Sequence, residues 1–170
     1  IGQLLEWFEW SSYAVFAPFI AAAFFDKSDP TSALLATFGV FAVGFLVRPL
    51  GGLFWGPLGD RLGRKGVLAM TIIMMSAATF CIGLLPTAET IGVGAPILLI
   101  ILRLIQGFST GGEYGGAATF MAEYSPDDKR GHYGSFLEFG TLGGFVAGSG
   151  VVLILQTLTS EAFMHEWGWR

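Results

Sequence analysis

Gly56-Pro57-Leu58-Gly59-Asp60-Arg61-Leu62-Gly63-Arg64-Lys65 crowds glycine and charge into a short bridge between two long apolar runs. Those runs, Leu34 to Trp55 and Val67 to Leu85, are each long enough to cross roughly 30 Å of hydrocarbon as helices. The bridge is read as the turn of a membrane hairpin, lying at one face of the bilayer.

Composition points the same way. Of 170 residues, 53% are hydrophobic and only 13% charged, with 25 glycines, a balance foreign to soluble domains. The net charge of -4 is small and scattered, and no basic block offers itself to nucleic acid or to an acidic partner. Cys81 stands alone in an apolar stretch, which excludes an internal disulfide framework and a cysteine-rich metal site. Ile1 begins almost inside an apolar helical pattern and Trp169-Arg170 follows a polar loop, so the chain reads as a fragment. Glu6 and Glu9 interrupt the opening stretch, which does not resemble a cleavable leader.

Hydropathy divides the chain into five expected spans, about 4–25, 33–56, 67–86, 96–122 and 132–158, each near the length a tilted helix needs. The fold class is therefore an all-α polytopic membrane bundle. Short polar joints separate the spans, among them Asp26-Lys27-Ser28-Asp29-Pro30 and Ser125-Pro126-Asp127-Asp128-Lys129-Arg130-Gly131. Arg61, Arg64, Lys65, Lys129 and Arg130 gather in the second and fourth joints, while the opposite joints hold only Lys27 and the terminal Arg170. By the positive-inside rule the first set is cytoplasmic, which puts residue 1 inside and Arg170 outside. Gly107, Gly111 and Gly115 in the fourth span, and Gly140, Gly144 and Gly148 in the fifth, recur every four residues and form smooth packing stripes.

Ionisable residues inside the spans carry the functional signal: Glu6, Glu9, Arg48, Arg103, Glu113 and Glu138. An ionised group at mid-membrane costs about 2.5 to 3.5 kcal/mol on insertion scales, so several together require pairing or a water-filled cavity. Glu6 and Glu9 share a helical face beside Trp10 and Tyr13, and Glu113 is expected to sit deepest. A carboxylate and an arginine that approach and separate can load and release a proton. Gly107-Phe108-Ser109-Thr110-Gly111 matches the G-x-S-x-G spacing of a hydrolase nucleophile, but that elbow needs a preceding strand and this segment continues an apolar helix. In the bridge, Asp60 is expected to cap the next helix, Gly59 and Gly63 to allow the turn, and Arg64 to reach Glu123, forming a charge cluster at the cytoplasmic face.

Gly56 to Lys65 resembles the signature between the second and third helices of the major facilitator superfamily, and Arg103-Leu104-Ile105-Gln106-Gly107 resembles its fourth-helix arginine motif. Glu6-Trp7-Phe8-Glu9, Arg48-Pro49-Leu50-Gly51-Gly52, Gln106 to Tyr114 and Trp167-Gly168-Trp169-Arg170 look like the metabolite:proton symporter branch, with Thr79 to Pro86 and Phe120 to Gly131 most like its carriers of zwitterionic osmolytes. Two positions depart from that pattern, Gln3 where the branch has Asn and Glu9 where it has Asp.

The resemblance implies the first five helices of an amino-terminal six-helix half. The sixth helix and the second half would then lie outside this stretch. It further implies proton-coupled symport of a solute such as proline or glycine betaine by alternating access, or alternatively of a di- or tricarboxylate such as 2-oxoglutarate or citrate. Such a protein works in a bacterial-type cytoplasmic membrane, with lipid, a small solute and the proton as its partners, and no coenzyme, metal or enzymatic reaction is implied. In this reading the six ionisable residues line the proton and substrate cavity. Trp10, Tyr13 and Tyr114 receive a substrate ammonium. Gly56, Gly59, Asp60, Arg61, Gly63, Arg64, Lys65 and Glu123 form the cytoplasmic gate.

Overall fold

The computed structural model describes residues 1–25 and 28–170, so Lys27, expected at the outer face, lies outside the described residues. The described residues form helices and no strand: α1 (Gly2–Phe24), α2 (Pro30–Leu62), α3 (Arg64–Leu84), α4 (Ala88–Ile91), α5 (Gly94–Thr110), α6 (Glu113–Tyr124), α7 (Arg130–Leu158) and α8 (Glu161–Phe163). A 3₁₀ turn, Asp127–Lys129, precedes α7, and a π-helical turn, Met164–Gly168, follows α8.

Among the described residues, four segments are long and apolar enough to cross a membrane: Pro30–Leu62, Arg64–Leu84, Gly94–Tyr124 and Asp127–Leu158. α1 has a span's length at 23 residues, yet its first half carries Gln3, Glu6, Glu9, Ser11 and Ser12 and falls short of that apolarity. The bundle shields this polar half, since Gln3, Glu6 and Ser11 are all buried.

Polarity is inverted relative to a soluble domain. Large apolar side chains such as Leu46, Leu53, Phe139 and Leu158 face outward, while Thr37, Thr71, Arg103, Gln106, Ser109 and Glu113 are buried. An apolar exterior is stable against hydrocarbon, and internal partners must then satisfy the polar interior.

The most extensive contacts join α1 to α7 and α2 to α5, with α3 against α5 next. Lipid is as apolar as the helix surfaces, so close van der Waals contact decides which faces meet. Between α2 and α5 two backbones lie almost in contact: a Cβ at Gly107 would collide with the Gly44 carbonyl, and one at Gly111 with the Arg48 carbonyl. Gly144 abuts the Leu4 carbonyl and Gly148 the Phe8 carbonyl, seating α7 on α1. The packing at Gly107, Gly111, Gly144 and Gly148 follows the stripes read from spacing, whereas Gly115 faces open space.

Three boundaries correct the sequence reading. α2 continues through Gly56, Gly59 and Asp60 to Leu62, so the bridge collapses to one residue, Gly63, whose φ of +93° is open to glycine and costly for other residues. The fourth span, Gly94–Tyr124, is locally irregular at Gly111-Gly112 between α5 and α6: both glycines keep right-handed helical dihedrals, Gly112 lies against the Trp55 side chain, and Trp55 Nε1 donates to the Phe108 carbonyl at 3.0 Å. The joint after α3 and the stretch after α7, read as loops, contain α4 and the helical turns of 161–168.

Asp29 caps α2, accepting from the Thr31 and Ser32 amides at 3.1 and 3.2 Å with Pro30 at the first helical position. Hydrogen bonds from Ser32, then from the Thr31 amide, hold its carboxyl below the usual carboxylate range. Towards the α2 N-terminus, Tyr13, Ile20, Phe24, Val40, Ile82, Leu99 and Trp169 form a continuous apolar core. The polar interior lies on the other side of Tyr13.

Candidate functional site

Two ion pairs flank Trp10. On one side Arg48 Nη2 of α2 meets Glu6 Oε1 of α1 at 2.7 Å. On the other, Arg103 Nη1 of α5 meets Glu9 at 2.8 Å to Oε1 and 3.1 Å to Oε2. Helical spacing decides this arrangement, because Glu6 and Glu9 lie three residues apart on one face of α1 while Trp10 projects between the two helices that supply the arginines. Both guanidiniums also lie over aromatic rings: Arg48 is 4.7 Å from Trp10 and 4.3 Å from Phe45, and Arg103 is 5.3 Å from Trp10 and 3.6 Å from Tyr13. Trp10 is 1% exposed and Tyr13 donates to the Thr37 carbonyl, so neither ring face stands open to a substrate ammonium in this conformation. In this conformation the arginines take the cation–π positions expected for the ammonium.

Neutral side chains complete the network. Gln106 Nε2 donates to Glu9 Oε1 at 3.2 Å and to Thr79 Oγ1 at 2.8 Å. Gln3 Nε2 donates to Glu6 Oε2 at 3.3 Å, and Thr141 Oγ1 donates to Gln3 Oε1. Each carboxylate thus has a guanidinium and an amide donor, the setting in which a buried ion pair is tolerated. Sequence reasoning missed Gln106, Thr79 and Thr141 as site residues. The available signal was an uncharged amide in an apolar span, three residues after Arg103.

Glu113 is the exception. It opens α6 directly after the Gly111-Gly112 pair and is 1% exposed, and neither carboxylate oxygen has a hydrogen-bond partner. Its carboxylate reaches Gly2 of α1, within electrostatic range of Glu6 and Arg48. The α6 N-terminus favours an anion there by about 0.3 to 1 kcal/mol, less than the roughly 2.5 to 3.5 kcal/mol that a charge in a span costs. Glu138 does not join this set. It is exposed on α7 and accepts from the exposed Tyr114 hydroxyl at 2.9 Å, because the polar edge of α6 turns away from Trp10.

At the α2–α3 turn, Arg64 Nη2 pairs with Asp60 Oδ1 at 2.7 Å, and its Nε lies 3.6 Å from Glu123 Oε1 of α6. Asp60 therefore does not cap α3: it belongs to the last turn of α2, and the α3 N-cap is Gly63, which has no capping side chain. Arg61 and Lys65 are exposed beside it, Gly56 is half-buried and Gly59 is buried. Ser109, in the hydrolase-like pentapeptide, donates its hydroxyl to the Thr71 carbonyl across the α3–α5 interface.

Residues 1–170 match the family described as "Sugar (and other) transporter". The chain belongs to that transporter family. Its architecture, an all-α bundle with four membrane-capable helices, agrees with the beginning of a major-facilitator amino-terminal half and marks an integral membrane protein. Over 170 residues it is 52% identical to the "Proline/betaine transporter" of Escherichia coli (strain K12), covering 100% of this chain and 34% of that protein. It has the same identity and coverage with the "Glycine betaine/proline/ectoine/pipecolic acid transporter OusA" of Dickeya dadantii (strain 3937). With the "Ectoine/proline transporter ProP" of Corynebacterium glutamicum it is 46% identical over 174 residues, again covering 34% of that protein. The chain thus spans about a third of the length of these relatives, which are transporters and not enzymes. No solved structure matches it.

Proposed function

We propose that these residues belong to a secondary active transporter that carries a small zwitterionic osmolyte, of the proline or glycine-betaine kind, together with a proton by alternating access. The observation that carries this reading is the buried and part-buried charge cluster: three carboxylates (Glu6, Glu9, Glu113) and two guanidiniums (Arg48, Arg103) held within a bundle that presents many large apolar side chains outward. Stability alone does not require so many ionisable groups at such cost, whereas exchange of protons and charged solute does. The names of the relatives support the choice of solute.

In this reading Arg48 and Arg103 keep Glu6 and Glu9 in ion pairs while the cluster is closed. A solute that brings its own carboxylate and ammonium competes for the same partners, and Trp10 and Tyr13 become available to the ammonium only when the guanidiniums leave their faces. Asp60, Arg64 and Glu123 tie the α2–α3 turn to the end of α6 and act as the cytoplasmic gate, with Gly56, Gly59, Gly63, Arg61 and Lys65 around it. Glu138 and Tyr114 pair with each other apart from this cluster. The protein resides in a bacterial-type cytoplasmic membrane with residue 1 inside and residue 170 outside. It transports and does not catalyse. Lipid, the proton and the solute are its partners, together with a sixth helix and a second six-helix half.

The test is uptake by the complete protein in proteoliposomes with an imposed pH gradient, inside alkaline. Labelled proline or glycine betaine is expected to accumulate and to alkalinise the external medium. Competition by 2-oxoglutarate or citrate in place of proline would move the assignment to a carboxylate carrier, and solute entry without proton movement would refute the coupling.

A further inference from the structure

We propose that Glu113 is the group that binds the transported proton, and that Arg48 serves as an exchangeable counterion passing between Glu6 and Glu113. The inference rests on the proton-symport reading above and deepens it. The set holds three acids and two guanidiniums, with Glu6, Arg103 and Glu113 buried and Glu9 and Arg48 partly buried, so with both arginines charged, one proton makes the cluster neutral. Geometry selects the acid that carries it: Glu6 and Glu9 each have a guanidinium and an amide, whereas both oxygens of Glu113 are buried without a partner. An ionised carboxylate in that position has no hydrogen-bond or ion-pair partner, and a neutral carboxylic acid needs far less.

Arg48 has the means to respond. Its backbone abuts Gly111, two residues before Glu113, its Nε is buried without a partner while Nη2 holds Glu6, and Glu113 lies within its electrostatic range. The charged side chains around Glu113 are Glu6 from α1 and Arg48 from α2. α3 contributes Leu68 and Ile72, and α7 contributes Phe136 and Leu137. These line a cleft of about 250 Å³ beside the carboxyl, the route that water would take to it in this proposal. When Glu113 releases its proton to that water, the new carboxylate draws Arg48 from Glu6. Re-protonation returns it. One proton leaves and one enters per cycle, and the arginine stays charged throughout. A loosened Arg48 also uncovers one side of Trp10 and frees Glu6, which links the proton to the place where a zwitterion would bind.

The test compares the complete wild-type protein with Glu113→Gln, Glu113→Asp and Glu6→Gln in proteoliposomes, reading three quantities: uphill accumulation of labelled proline, proton-independent proline counterflow, and the infrared carbonyl band of protonated carboxylic acids. Glu113→Gln is expected to lose accumulation, keep counterflow and lose the band. Glu6→Gln leaves Arg48 to Glu113 permanently, so accumulation and the band should both vanish although Glu113 is intact. Glu113→Gln that still accumulates proline, or keeps the band, overturns the inference while leaving symport standing. Wild type that moves proline without protons overturns the symport reading itself. If Glu113→Gln fails to enter the membrane, Glu113→Asp decides: its carbonyl band must shift in frequency, and an unshifted band overturns the inference.

Discussion

Replacing Arg103 by alanine is the sharpest probe of the charge cluster. Arg103 is 1% and Glu9 10% exposed, and they meet at 2.8 Å, so the substitution leaves a carboxylate in the interior with only Gln106 to donate to it. Removing one partner of a buried pair costs about 3 to 5 kcal/mol. The destabilisation of Arg103→Ala is therefore expected to reach about 3 to 5 kcal/mol. Glu9→Gln strands the arginine instead, which keeps its charge, so a cost of similar size is expected. The double variant should cost well under the sum. Equilibrium unfolding of the complete protein in mixed micelles measures all four corners of the cycle, which also separates the pair from the contacts Arg103 makes with Tyr13 and Trp10. Additivity within about 0.5 kcal/mol would refute the reasoning.

Other consequences can be checked separately. Trp55→Phe removes the indole donor to the Phe108 carbonyl and should cost about 1 kcal/mol by the same unfolding assay, with faster amide exchange confined to the α5–α6 junction. Gly107→Val forces a side chain into the Gly44 backbone, so α2 and α5 must separate; cysteine pairs introduced across that interface should lose their cross-linking yield, and unchanged yield would contradict the packing. Arg64→Ala breaks two exposed contacts worth at most about 1 kcal/mol each. Stability should therefore hardly change, while labelling of a reporter cysteine near Glu123 from the cytoplasmic side increases. The Asp29 cap has a defined pH sign. Its folded value is depressed by the Ser32 and Thr31 bonds, so its contribution is present above the unfolded carboxylate range and disappears as pH falls through the folded value. Exchange at the Thr31 and Ser32 amides should accelerate over that acid limb, and Asp29→Ala should abolish the dependence.

Much of the architecture was readable without coordinates because a bilayer imposes a length and a composition on each span. Runs such as Leu34 to Trp55 had to be helices, the Gly144 and Gly148 stripe had to meet another backbone, and Glu6, Glu9, Arg48, Arg103 and Glu113 were conspicuous for what they cost in hydrocarbon. Local pattern was silent where the outcome depended on a distant neighbour. The glycine pair Gly111-Gly112 is a weak point for a helix that the sequence displays. What it does not display is the partner: Trp55, more than fifty positions earlier, packs against Gly112 and donates to the Phe108 carbonyl. Charge and hydropathy likewise could not distribute two arginines among four acids. Only the crossing of α1 by α2 on one side of Trp10 and by α5 on the other paired Arg48 with Glu6 and Arg103 with Glu9, left Glu113 alone, and turned Glu138 outward. Burial and length are one-dimensional constraints that the chain writes into its own composition, whereas an ion pair needs two particular atoms within about 3 Å, a distance that exists only after the helices have packed.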